Sequence, residues 1–167
     1  MAIFAQTAPK AATIVMEQTL TLRYRHFASL DMLDEADARL VAKARQALAC
    51  AYAPYSHYRV GAAARLASGR IVTAGNQESP VFPAGLCAER VLLFRHMAEA
   101  PDDPIVTLAV TSESPDRVCT PCGGCRQVMA DVIGRQGRPF RLIMSNARNA
   151  ILVEDASVLL PFAFSLD

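Results

Sequence analysis

The sequence predicts an α/β domain built on a mixed sheet. Apolar spacing switches along the chain between the period of two that suits a strand and the 3.6-residue period that suits a helix. The switches fall at proline, glycine and polar clusters, and a hairpin precedes the alternation of strands with helices. No repeat or low-complexity linker divides the 167 residues, so one domain is expected over residues 31–167, preceded by an N-terminal arm at 1–30.

Residues 1–12 are rich in Ala and Thr and offer no element. Thr19 to His26 alternates in period two, which predicts a strand at a sheet edge. Met32 to Ala51 places Ala, Leu and Val at helical spacing with no Pro or Gly, and Ser29 or Asp31 is the expected cap. Pro54 ends that helix. Tyr58–Leu66 and Arg70–Ala74 flank a Ser68-Gly69 turn and read as a hairpin. Gly75 to Gly85 is a loop with two prolines, and Leu86 to Ala98 a helix. Ile105 to Val110 is a short β-branched run that predicts a buried strand. Pro121 to Ile133 reads as a helix, with Pro in its first turn and Gly134 just past its end. Pro139–Ser145 and Ala150–Val153 are strand-like, and the tail from Ser157 is apolar.

Composition narrows the function classes. The chain is 52% hydrophobic and 20% charged, which excludes a disordered protein. A formal net charge of +1 argues against a domain that neutralises many phosphates, so no nucleic-acid partner is expected. No apolar run approaches the roughly 18 residues of a membrane span. Met1 to Ala12 lack a basic segment followed by an apolar one, so the cytoplasm is the expected location. Five cysteines, Cys50, Cys87, Cys119, Cys122 and Cys125, are a poor fit to a disulfide framework; three crowd together, which raises metal binding or thiol chemistry.

Two segments carry that chemistry, Cys87-Ala88-Glu89-Arg90 and Pro121-Cys122-Gly123-Gly124-Cys125, each at the predicted start of a helix. Cys122 and Cys125 share one helix face, and a helix N-terminus favours thiolates. Cys87 supplies a third sulfur if the two helix starts face each other. Three protein ligands leave a tetrahedral zinc one open position, the mark of a catalytic ion, and zinc brings the pKa of a bound water to about 7. Glu89, beside such a water but not bound to the metal, suits a proton shuttle.

With Cys-x-Glu followed by Pro-Cys-x-x-Cys, the sequence resembles the zinc-dependent cytidine deaminases, in particular the small homotetrameric enzymes with three cysteine ligands that act on free nucleosides. Three further blocks extend the resemblance over roughly residues 32–164: Ala53-Pro54-Tyr55-Ser56-His57-Tyr58 continuing to Ala63, Asn76-Gln77-Glu78, and Leu159-Leu160-Pro161-Phe162-Ala163-Phe164. It implies a three-layer fold with a mixed five-stranded sheet and helices on both faces. It implies one Zn2+ per subunit on Cys87, Cys122 and Cys125, and hydrolysis of cytidine and deoxycytidine by a zinc-bound hydroxide with Glu89 as proton shuttle, in pyrimidine salvage. Asn76 and Glu78 would bind the ribose 3′-hydroxyl, Tyr58 would pack on the base, and the backbone at Cys87-Ala88 would read the base edge. Phe164, Pro80 and Phe82 would complete pockets, in part across subunits. Arg90 would offset the sulfur charge, with Tyr55 in the same network and at subunit contacts.

The chain departs from the family pattern at Ser79-Pro80, at Phe82 where Tyr is commoner, at Tyr58 where Phe is usual, and at Cys119, which has no counterpart. Other readings remain: a deaminase of a modified nucleoside such as blasticidin S, a redox dithiol, or a non-catalytic zinc module in which Cys119 closes a four-cysteine site with Cys87, Cys122 and Cys125.

Overall fold

The computed structural model describes residues 16–165, so residues 1–15 of the expected arm lie outside it. Six strands are present among the described residues: β1 (Arg25–Phe27), β2 (Val60–Leu66), β3 (Ile71–Gly75), β4 (Ile105–Ser112), β5 (Arg141–Ser145) and β6 (Ala150–Val153). They form one mixed sheet in the order β1-β6-β5-β4-β2-β3, in which only β4 and β5 run parallel. The sheet therefore has six strands rather than five. The extra one is β1, which pairs antiparallel with β6 through Arg25–Leu152 and Phe27–Ala150. Of the Thr19–His26 alternation only Arg25 and His26 are strand, continued by Phe27, because those are the residues that find an edge to bond.

Among the described residues three α-helices cover the sheet: α1 (Glu35–Gln46), α2 (Ala88–Glu99) and α3 (Gly123–Gln136). The predicted first helix is divided. Ser29 caps a short 3-10 turn at Leu30–Met32, and Asp34, accepting from the Asp37 N–H at 2.8 Å, caps α1. At its far end α1 tightens into a second 3-10 turn, Ala47–Cys50. Helix α3 runs through Gly134 and ends at Gly137, whose φ of 66° is the left-handed cap that favours glycine.

The period of two splits the core into two layers. Ala62, Ala64, Leu66, Leu108, Val110, Leu142 and Met144 face α2 and α3; Ala63, Ala109, Ile143 and Leu152 face Leu40, Val41 and Ala44 of α1. The consecutive alanines of β2 let both helical layers approach closely. Gly61 is required for the same reason, since a Cβ there would lie 2.0 Å from the Ala44 carbonyl oxygen. Asp37 on α1 is 2% exposed and takes two hydrogen bonds from Arg141, at 3.0 and 2.7 Å, and one from Arg65. No helix among the described residues is long and apolar enough to cross a membrane.

This topology positions the site. The parallel pair β4–α3–β5 leaves the carboxyl end of β4 pointing at the head of α3, where open α/β sheets place their ligand crevices. Val60 at the start of β2 pairs with Ser112 at the end of β4, so the Tyr55–Tyr58 segment arrives at that same end.

Candidate active site

Cys87 is the N-cap of α2 and Cys122 the N-cap of α3, and neither has a side-chain capping bond. Their sulfurs are 3.9 Å apart, and Cys122 Sγ is 3.5 Å from Cys125 Sγ in the first turn of α3. Two zinc–sulfur bonds of about 2.3 Å at a tetrahedral angle put sulfurs about 3.8 Å apart, so these thiols fit the ion. They form one group of donors within 4.8 Å of one another, and among the described residues no other His, Cys, Asp or Glu joins it, Cys119 included. The closed four-cysteine arrangement is therefore not what the chain builds.

The electrostatics suit ionised sulfur. A hydrogen bond from Cys125 brings the Cys87 thiol down to about 5 against the pull of burial, and the Arg90 guanidinium beside it adds to the effect. The proton left behind raises Cys125, chiefly through Cys87 and then burial. Arg90 itself donates to the Gly85 carbonyl at 3.2 Å; burial works against its charge, but Cys87 more than offsets that and its pKa rises. Two helix N-termini add their partial positive charge at the same spot.

Glu89, in the first turn of α2, is 3% exposed, and its Oε2 has no hydrogen-bond partner. Burial pushes this carboxyl up to about 7, with repulsion from Cys87 added. It lines a cavity of about 540 Å³ together with Cys87, Cys122, Asn76, Glu78 and Tyr58.

The far wall is bolted to the metal end by main-chain bonds. Gln77 pairs with Leu86 through bonds of 2.9 and 2.8 Å, and Tyr52 bridges Asn76 and Glu78 on the other side. The Asn76-Gln77-Glu78 segment thus sits at a fixed offset from Cys87. The Asn76 amide accepts from the Val60 N–H at 2.9 Å and donates to the Tyr58 carbonyl at 3.1 Å. Glu78 accepts from the Tyr55 and Ser56 N–H groups and the Ser56 hydroxyl, and that hydroxyl first, then the Tyr55 amide, hold its carboxyl below the usual range. The Tyr58 hydroxyl bonds Ser112 Oγ at 2.9 Å, and burial raises its pKa.

Residues 34–135 match the family described as the cytidine and deoxycytidylate deaminase zinc-binding region. The chain is 35% identical over 128 residues to a cytidine deaminase of Halalkalibacterium halodurans, covering 77% of this chain and 93% of the relative. A Mycobacterium tuberculosis cytidine deaminase is 35% identical over 130 residues, covering 74% and 86% of the two chains.

The chain belongs to the cytidine and deoxycytidylate deaminase family. The fold agrees: the crystal structure of a Burkholderia pseudomallei cytidine deaminase superposes with a TM-score of 0.67 at 33% identity, covering 75% of this chain and 97% of that one. The three converging cysteines, Cys87, Cys122 and Cys125, all fall inside the residues that match the family's zinc-binding region.

Not every residue singled out in the sequence reaches the cavity. Phe164 is 70% exposed and lies on α3, its backbone bonded to Gln127 at 3.2 and 2.8 Å, in a separate hollow with Asp131 and Arg135. Tyr55 lies in an outer hollow at the mouth, its ring edge-on to Phe82 at 6.2 Å. Phe82 lines both spaces, whereas Pro80 is exposed beside them. Ala88 is wholly buried as the first residue of α2.

The cavity wall also includes residues given no role from sequence, among them Ser56, Arg117 and Cys119. Ser56 stands inside the matched Ala53–Tyr58 block, a signal that was present but unused. Cys119 is buried, and burial first and Glu89 second push its thiol up to about 12, which keeps it protonated. Arg117 gave no local signal.

Proposed function

We propose that the chain is a hydrolytic deaminase of cytidine and deoxycytidine, converting them with water to uridine or deoxyuridine and ammonia in pyrimidine salvage. The observation that carries this reading is the partnerless oxygen of buried Glu89 beside three converging thiols. Burying an unpaired carboxyl costs stability, and a structural zinc module has no use for one. A group that must take up and release protons does.

Cys87, Cys122 and Cys125 would hold one zinc per chain. When bound, the ion supplies a Lewis acid that acidifies water at neutral pH. Glu89 takes one proton from water and passes it to the pyrimidine N3 as the water oxygen adds to C4, then takes the second proton from that C4 hydroxyl and delivers it to the amine, which leaves C4 as ammonia. The main chain at Cys87-Ala88 reads the base edge, and Tyr58 packs on the ring. Asn76 keeps one N–H and one lone pair beyond its two bonds, and Glu78 faces the same cavity, so the two suit a sugar hydroxyl. Arg90 offsets the net negative charge of three thiolates around a dication.

The reading includes a cytoplasmic homotetramer whose pockets are finished by neighbours. Support comes from Tyr55 and Phe82, 47% and 76% exposed at the cavity mouth with Pro80 alongside, and from Phe164, which projects away from its own chain's cavity.

The test combines three measurements on one preparation. Metal analysis should find one zinc per chain, ultraviolet monitoring should show loss of cytidine and deoxycytidine, and light scattering should give four times the 18.0 kDa chain mass. Turnover of blasticidin S without turnover of cytidine would replace the proposed substrate, and zinc without any turnover would leave a binding module.

A further inference from the structure

The Ser56 hydroxyl is engaged in two directions. It donates to Glu78 Oε1, and it accepts from the Tyr58 N–H at 3.0 Å. The main-chain N–H of Ser56 and that of Tyr55 close on the other Glu78 oxygen at 3.2 and 2.9 Å. Between these anchors the chain makes a turn that few side chains adopt: His57 has φ of 55° and is not glycine. The left-handed residue reverses the backbone between Ser56 and Tyr58. Residue 56 is exposed, so burial in the core does not explain these bonds.

We propose that Ser56 is a positioning residue, whose one hydroxyl fixes the Glu78 carboxylate at the sugar side of the cavity and the Tyr58 backbone at the base side. The inference rests on the reading of Glu78 and Tyr58 as substrate contacts. Without the hydroxyl, Glu78 loses one of the donors that orient it, and the turn at His57 loses the bond that closes it onto Tyr58. Both contacts then have to be ordered by the substrate, which weakens binding more than it slows the bond-breaking step.

The test is steady-state kinetics on cytidine with zinc-loaded Ser56→Ala, Ser56→Thr, Glu78→Gln and the double variant Ser56→Ala/Glu78→Gln, with Ser56→Gly as a second hydroxyl-free form. Ser56→Ala should raise KM about tenfold, the lower end of what a hydrogen bond to a charged group supplies, with kcat within about threefold. Ser56→Thr, which keeps the hydroxyl, should return KM to within about threefold of the parent. The double variant should be worse than Glu78→Gln alone by clearly less than the loss of Ser56→Ala, since the hydroxyl acts in part through that carboxylate and in part through the turn onto Tyr58. Zinc content and melting temperature should match the parent throughout. The inference alone fails if Glu78→Gln raises KM while both hydroxyl-free forms keep the parent value, if the two losses add, or if Ser56→Thr does not rescue. If Glu78→Gln leaves KM unchanged, the substrate-contact reading of Glu78 fails and carries the inference with it.

Discussion

Cys87 Sγ and Cys122 Sγ stand 3.9 Å apart although 35 residues separate them in the chain. The two helix caps meet because β2, β3 and β4 hold α2 and α3 on one face of the sheet. A metal held at that point would couple two helices that also share one apolar cluster.

Removal of zinc should therefore loosen both helix heads. Chelation is expected to lower the melting temperature by several degrees, because a ligand that binds only the folded state stabilises it by mass action. Cys122→Ser should abolish zinc retention on dialysis and cut turnover by more than about a hundredfold. Differential scanning calorimetry before and after chelation, with metal analysis, checks both outcomes.

Glu89→Gln separates chemistry from stability. The neutral amide removes a buried carboxyl whose Oε2 has no partner, so melting temperature should hold or rise. Zinc content should be unchanged. Turnover of cytidine should fall by about a thousandfold or more, the scale of a lost general acid–base. A variant that melts earlier or keeps its rate would contradict this account of the site.

The opposite face of the sheet depends on one acid. Asp37 is gripped by Arg141 and Arg65, and its removal leaves two guanidinium groups without their buried partner. Both arginines are about a quarter exposed, which lets water compensate in part. Asp37→Ala should cost about 2–3 kcal/mol, below the range for a fully buried pair, with little effect on KM. Urea unfolding gives the number.

His96 is buried on α2 with neither ring nitrogen bonded, and burial lowers its pKa against the opposing pull of Asp103 and Glu99, with Arg70 acting in the same direction as burial. The unfolded chain therefore binds a proton that the folded chain rejects. Stability from this group is complete above about pH 6.5 and is lost as pH falls through the lower folded value. The stability of His96→Leu should change less between pH 8 and pH 5.5 than that of the parent. Denaturant midpoints at the two pH values decide it, and parallel slopes would refute it.

Much of the site was legible because its signals are local. Cys122 and Cys125 share a helix face by spacing alone, and Cys87 and Glu89 announce themselves at a helix start. The fold class followed from the alternation of periods, and the order of strands and helices held. The illegible parts depend on distant partners. The Thr19–His26 alternation could not reveal that three residues would pair with β6, since the pairing edge lies 125 residues downstream. The α1 cap moved to Asp34 because the chain first makes a separate turn at Leu30–Met32. Gly134 resembled a helix end, yet the left-handed residue is Gly137.

By itself the sequence determined the inventory: three thiols, one acid, one guanidinium, and the helices and strands that carry them. Residue type and nearest-neighbour spacing set thiolate chemistry, helix starts and amphipathic faces, and these survive any arrangement of the rest. Only the tertiary structure decided that Cys119 stays out of the sulfur cluster, that Phe164 turns away from its own cavity, and that Ser56 grips Glu78. Those facts follow from strand register and from loops closing on one another over tens of residues, and no local spacing encodes such distances.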